Sequence, residues 1–286
     1  MRSLVAVLWV LAMGSTAVAG EGESTKAAEE RDRGFRHESS LQIRVEPPGL
    51  KYKGDTAFRL LLKEREHILL GGRYIDTGIT TELSPAFLWT GPYVEALPIS
   101  ALKLRASASY TGYFGTFGHL HVSEEGDGSP EARERTSELG VAQSATGWRI
   151  ALEATPRILI GRVGIAVDTA LYRVAVDVEH TYYEPAYGLM LEPEDTVWEI
   201  NPTVGYLFGS DPSQRYSLVG LRWERRVVRN TEWEQDKFGI VAMFSVPPEL
   251  MDWGSPVISS YAALRRKLPE ESSLAPYFGI QGTLSF

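Results

Sequence analysis

Long runs of alternating apolar and polar side chains constrain the fold of this chain more than any other feature. In residues 101–114, Leu102 and Leu104 fall on one face, and Lys103 and Arg105 fall on the other. Comparable alternation covers residues 148–155, 198–208 and 238–246. A strand points successive side chains to opposite faces, whereas a helix would spread both sets around its circumference. The pattern therefore predicts an all-β chain.

Turn signals rich in Gly and Pro divide the chain into segments that we interpret as strands. The predicted strands cover residues 40–46, 55–64, 72–82, 85–95, 101–118, 139–155, 162–182, 196–209, 215–229, 237–246, 256–267 and 275–286. This count gives about twelve strands, with ten as the alternative. Most segments reach ten residues, and a tilted strand needs about 9 to 11 to cross a membrane. We therefore expect one closed, antiparallel, up-and-down transmembrane β-barrel.

One of these segments breaks its own alternation. Val163, Ile165 and Leu171 share a phase, after which the apolar residues shift by one position to Tyr172 and Val174. A slip of one residue predicts a β-bulge near Leu171.

Composition excludes several classes of function. The net charge is -8, so the chain offers no basic stripe for phosphate neutralisation and we expect no nucleic-acid partner. The absence of cysteine excludes disulfides, thiolate metal sites and cysteine nucleophiles. No nucleotide-binding or haem motif is present, and we expect no cofactor and no metal site.

The first residues have the pattern of a secretory signal peptide. Arg2 is followed by an apolar run over residues 3–12, and Ala17-Val18-Ala19 forms a small-x-small cleavage site. The run is too short to cross a bilayer as a helix. We expect residues 1–19 to be a cleaved signal peptide, residues 20–39 a flexible periplasmic N-terminus, and residues 40–286 the barrel.

The last strand carries the most specific resemblance. Phe278, Ile280, Leu284 and Phe286 lie on one face, and Phe286 is the final residue. Here the chain resembles the outer-membrane β-barrel proteins of Gram-negative bacteria. The resemblance implies that these four residues act as an assembly signal read by the barrel-assembly machinery. It also implies a cell outer membrane location, with membrane lipid and lipopolysaccharide as surroundings; the oligomeric state stays open.

The connections fit such a barrel. The longest, residues 118–138 and 183–195, fall on the outer side, and the short ones, at 96–100, 156–161 and 209–214, fall in the periplasm. Charges on the other strand face are expected to line the lumen: Lys103, Arg105, Arg149, Glu153, Arg173, Asp177, Glu179 and Glu199. A polar lumen without a catalytic set favours a porin-like channel or passive transporter for small solutes.

Two further functions stay open. His121-Val122-Ser123 resembles the His-x-Ser of outer-membrane lipid A deacylases, which makes His121 and Ser123 the candidate catalytic pair of a lipid hydrolase. The strand phase, however, places His121 on the lumen side, away from lipid. A structural or adhesive barrel, with the acidic segment 118–138 as its partner surface, is the other alternative.

Overall fold

Twelve strands of the computed structural model form one closed antiparallel barrel. The structure describes residues 34–45, 48–62, 72–115, 122–123, 144–184, 186–208, 217–231, 233–245, 257–268 and 275–285. The barrel strands are β1 (Gly34–Val45), β2 (Pro48–Leu61), β3 (Tyr74–Leu83), β4 (Phe87–Ile99), β5 (Leu102–Tyr113), β7 (Ala145–Ile160), β8 (Val163–Val176), β11 (Glu194–Phe208), β12 (Ser217–Val228), β13 (Glu234–Ser245), β14 (Val257–Leu268) and β15 (Ala275–Ser285). The prediction of a twelve-stranded up-and-down barrel is confirmed.

Three short strands lie outside the barrel wall. β6 (Val122–Ser123), β9 (Thr181–Glu184) and β10 (Leu189–Leu191) form a small antiparallel sheet in the order β10-β9-β6. The sequence predicted a loop over 183–195 and neither β9 nor β10.

Pairing of β1 with β15 closes the barrel, from Glu38–Ser285 to Arg44–Gly279. Closure gives every barrel strand two hydrogen-bonded neighbours, so the sheet has no free edge. An even number of strands places the start of β1 and the end of β15 together, at what we call the terminal end. The small sheet belongs to the opposite end, which we call the capped end.

The two faces of the wall have opposite chemistry. On β5, Leu104 and Tyr110 are exposed, whereas Arg105 and Ser109 are buried. The same inversion continues around the barrel, with exposed Leu152, Trp198 and Ile240 among the outward residues. An apolar exterior around a polar interior is the reverse of a water-soluble protein and suits a wall that faces lipid. Among the described residues, no helix is long and apolar enough to span a membrane.

The predicted bulge near Leu171 is wrong. β8 keeps one register with β7 from Gly147–Val176 to Ile160–Val163, and its pairing with β11 is equally regular. The apolar phase shifts because Tyr172, Val174 and Val176 face inward, into an apolar part of the lumen at the capped end. The register of β8 is therefore unbroken, and what changes along the strand is the part of the lumen that its inward side chains meet.

Proline positions explain several local differences between the predicted and the observed strands. Pro98 and Pro156 belong to the predicted connections 96–100 and 156–161, but both lie within strands, close to the terminal end. Pro202 pairs with Val167 of β8, while the register with β12 omits it. A proline lacks the N–H that the ladder needs, so the strand continues with pairing on one side only.

Candidate functional site

Ion pairs cross the barrel interior. Arg105 on β5 donates two hydrogen bonds to the Asp55 carboxylate on β2, at 2.8 and 3.1 Å. β3 and β4 separate these two strands in the wall, so the pair spans the lumen rather than the sheet surface. Arg222 on β12 lies 3.5 Å from Asp168 on β8, so this pair bridges the intervening strand β11 along the inner wall. The lumen is therefore narrowed by charge pairs.

A polar cavity of about 220 Å³ lies in the lumen near the terminal end. Its walls carry both signs of charge: Arg36, Lys53 and Lys103 beside Glu38, Asp76 and Glu95. Lys103 Nζ lies 3.7 Å from a Glu95 carboxylate oxygen, and Arg59 binds Asp76 through two hydrogen bonds. Such a lining is hydrophilic and carries both signs of charge.

The other end of the lumen is apolar because the β9-β10 hairpin, residues 181–191, packs into it. The side chains of Tyr182, Leu189 and Leu191 are fully buried. They join a cluster with inward residues of the wall, among them Phe87, Trp89, Tyr113, Val174, Val197 and Val228. The hairpin therefore closes the capped end of the described lumen.

Tyr187, at the turn of this hairpin, contacts several residues of the wall. Its ring centroid lies 5.3 Å from that of Tyr172 and 5.7 Å from that of Trp89. Its backbone carbonyl accepts a hydrogen bond from Arg226 Nη1 at 3.3 Å. Arg226 is itself fixed by two hydrogen bonds to Glu199, at 2.9 and 3.1 Å. A charge pair of the wall therefore holds the hairpin.

Glu184 is the one carboxyl group described within the hairpin strands, and it is fully buried. One oxygen accepts a hydrogen bond from the Tyr113 hydroxyl, and the other accepts the Ala186 N–H at 3.0 Å. Burial raises the pKa of Glu184 to about 7, because removal from water penalises the charged form. Its charge state is therefore sensitive near neutral pH.

Five of the eight predicted lumen residues face inward in the structure. Arg105 and Arg149 are buried, and Glu199 pairs with Arg226. Glu153 lies directly opposite Arg105 in the register and so shares its face, and Lys103 lines the polar cavity. The sequence brought these residues to one surface because alternation in a regular strand fixes the face.

The structure places the other three elsewhere. Arg173 is 63% exposed on the outward face of β8 and pairs with Glu194 at 3.4 Å. Asp177 and Glu179 are exposed and follow the last residue of β8. The assignment of Arg173 to the lumen depended on the bulge that the strand does not have.

The remaining candidates are only partly described. His121 and Phe286 lie outside the described residues, as do the side chains of Ser123 and Leu284. The backbone of Ser123 belongs to β6 and pairs with Thr181. Phe278 and Ile280 are exposed on the outward face of β15. In the part of the chain that the structure describes, no group of three or more His, Cys, Asp or Glu residues is placed to hold a metal ion.

Sequence reasoning missed Trp89, Glu184 and Tyr187. Trp89, like Trp233, is buried and faces inward. The sequence feature that could have revealed these residues is the apolar pair Val174 and Val176. Both face inward, which shows that this end of the lumen is apolar. An apolar lumen needs an apolar occupant, and the aromatic segment that follows β8 supplies it.

Solved structures with the same fold are outer-membrane β-barrels. The β domain of the Bordetella autotransporter BrkA has a TM-score of 0.51 at 8% identity, covering 89% of this chain and 99% of that chain. LpxR from Salmonella typhimurium has a TM-score of 0.40 at 12% identity, covering 88% and 99%. The KdgM porin has a TM-score of 0.37 at 8% identity, with the same coverage of 88% and 99%.

These likenesses concern the fold alone. No protein-family model and no curated protein matches the chain. With its closed twelve-stranded wall and exposed apolar exterior, the chain has the fold of an outer-membrane β-barrel protein.

Proposed function

We propose that the protein is an outer-membrane channel for small solutes that is closed at rest, with the β9-β10 hairpin as its gate. One observation carries the proposal: a charged, polar lumen at the terminal end leads to an apolar hairpin that fills the capped end. A barrel used only as a scaffold has no need of a polar cavity beneath a separate closing element. The proposal includes export through residues 1–19 and assembly through the last strand.

The hairpin is built to be separable from the wall. β8 and β11 pair directly with each other from Ala175–Glu194 to Val163–Tyr206, so the wall is continuous without it. The described backbone pairing of β9 is to β10 and to β6, not to a barrel strand. Removal of the hairpin would therefore open the lumen and leave the ladder intact.

Planar-bilayer recording of purified protein tests this function. We expect the wild type to be silent most of the time, and a variant with residues 178–192 replaced by a short Gly-Ser linker to conduct in discrete steps. The matched control carries the same linker in place of residues 211–215, between β11 and β12 at the terminal end, and should behave as the wild type. A correctly folded hairpin-free barrel that stays silent over a range of salts would show a structural barrel instead.

The two alternatives gain no support from the described residues. A lipid hydrolase needs His121 and Ser123, and the structure describes neither of these two side chains. An adhesive role needs residues 118–138, of which the structure describes only β6. An unchanged rate of lipid turnover in a His121→Ala variant would remove the hydrolase.

A further inference from the structure

Arg149 stands out among the charged residues of the lumen. Its side chain projects from β7 beneath the hairpin, with a relative exposure of 9%. Its described contacts are aromatic rings: the guanidinium carbon lies 4.3 Å from the centroid of Trp89, 4.5 Å from Tyr172 and 6.0 Å from Tyr187. Buried Arg105, by contrast, forms an ion pair with Asp55. Arg149 is a buried cation held by a cage of aromatic faces.

Polar atoms without a described partner surround this cation. Arg149 Nε, Trp89 Nε1, Tyr187 Oη and Thr111 Oγ1 are all buried and have no hydrogen-bond partner among the described residues. Trp89 and Thr111 lie directly opposite each other between β4 and β5. Thr111 in turn lies opposite Gly147, two residues before Arg149 on β7. The four atoms therefore belong to one patch, which we call the Arg149 patch.

The chemistry of these atoms defines their missing partner. The N–H groups of arginine and of tryptophan only donate, so an acceptor must meet them. A buried donor without an acceptor costs about 1–3 kcal/mol. A guanidinium in particular binds the two oxygens of a carboxylate or phosphate, and flat aromatic faces exclude water around such a contact.

Among the described residues, the charges of Glu82 and Glu153 act on Arg149, but no carboxylate lies within hydrogen-bonding or ion-pair distance of it. Glu184 is engaged by Tyr113 and by the Ala186 N–H. Glu199 is engaged by Arg226, and Glu82 lies 3.2 Å from Lys51. Strand β5 connects the patch with the polar cavity through two of its inward residues. Ser109 lies opposite Arg149 of the patch, and Arg105 lines the polar cavity.

We infer that the Arg149 patch binds the oxyanion group of a small solute, a carboxylate or a phosphate, inside the lumen. Arg149 anchors the oxygens, and Trp89, Tyr187 and Thr111 donate to them. The physiological meaning of this site rests on the proposed channel function. The site adds that the solutes admitted by the channel are anionic.

Binding is measured without any need for conduction, by calorimetry and tryptophan fluorescence of the refolded full chain in detergent micelles. Inorganic phosphate and sodium acetate are the probes, and sodium chloride controls for charge screening. We expect saturable binding of phosphate, of acetate or of both, which identifies the oxyanion preferred, and none of chloride. In Arg149→Gln the affinity should fall at least tenfold, and in Arg149→Lys by less, because the charge remains but the planar fork is lost.

Arg173→Gln is the matched control, since it removes an arginine from the outer face, and it should bind as the wild type. If Arg149→Gln does not fold, Thr111→Val and Arg149→Lys decide, and both should weaken binding. Wild-type protein that binds neither probe, or folded variants that bind both as tightly as the wild type, would overturn the inference and leave Arg149 as a packing residue.

The outcome is separable from that of the channel test. Binding in micelles by a barrel that never conducts would reject the channel and keep the site. In the reverse case, a hairpin-free barrel that conducts, together with full-length wild-type protein that binds neither phosphate nor acetate in micelles, would keep the channel and reject the site.

Discussion

At the residue scale, Glu184 links the packing of the β9-β10 hairpin in the lumen to pH. Its carboxyl group is fully buried among Tyr113, Tyr182 and Tyr187, and burial raises its pKa from 4.5 to about 7. Hydrogen bonds from Tyr113 and Ala186 and the charge of Arg149 lower the pKa but offset burial only in part. The pKa of Glu184 is higher when the hairpin is packed in the lumen than when it is released into water. Packing of the hairpin is therefore strongest below pH 4.5 and weakens as the pH rises through 7. The full loss amounts to about 3 kcal/mol.

We predict that the hairpin becomes more mobile as the pH rises from 5 to 8. The chain has no native cysteine, so Ala186→Cys carries a single nitroxide label on the hairpin. The mobile fraction in the spin-resonance spectrum should grow over this range. In Glu184→Gln, which cannot ionise, the fraction should stay low and constant. Equal pH dependence in the two proteins would assign the effect to another group.

At the element scale, close strand contacts fix where the wall tolerates a side chain. Gly239 faces inward on β13, opposite Ala263 of β14. A Cβ atom built on Gly239 would lie 2.0 Å from the Ala262 carbonyl oxygen and 2.5 Å from Ala263 Cα. Both are backbone atoms, which cannot rotate away as a flexible side chain can. Glycine is therefore needed here for the approach of two strands, not for an unusual φ.

Gly239→Ala should destabilise the barrel by about 1–3 kcal/mol, the range for overpacking a close contact. The urea midpoint of the folded band on unheated gels measures the change. Gly282→Ala is the matched control on β15, where an added Cβ meets nothing within 4 Å, and its midpoint should equal that of the wild type. A Gly239→Ala midpoint at the wild-type value would mean that β13 and β14 separate readily.

At the scale of the whole molecule, the exposed apolar wall is what couples this fold to lipid. Leu152 lies in the middle of β7 and is 54% exposed, and Ile160 ends the same strand at 63% exposed. Both side chains would contact lipid in a membrane, but at different depths. The cost of a charge on the outer wall depends on that depth and peaks at the middle of the bilayer.

Leu152→Arg should therefore lower the free energy of folding into phospholipid vesicles by about 2–4 kcal/mol, and Ile160→Arg by about 0–1 kcal/mol. Urea titration of vesicle-bound protein measures both. Equal costs at the two positions would be incompatible with a wall that crosses the bilayer along β7.

Local alternation was enough to predict the all-β class, the twelve barrel strands and the inward face of Arg105, Arg149 and Glu199. A strand repeats every two residues, so the face of each side chain follows from the sequence wherever the strand is regular. The same rule failed at Arg173, because alternation shows which residues share a face but not whether that face meets lipid, water or another part of the protein.

What only the tertiary structure decided is the state of the lumen. The β9-β10 hairpin reaches Trp89 on β4 and Arg226 on β12, residues far from it in sequence, and no local pattern encodes such contacts. The wall is fixed by neighbour pairing between successive strands, which sequence periodicity reports. Closure of its interior depends on side chains that meet across the barrel, and these come together only once the cylinder has formed.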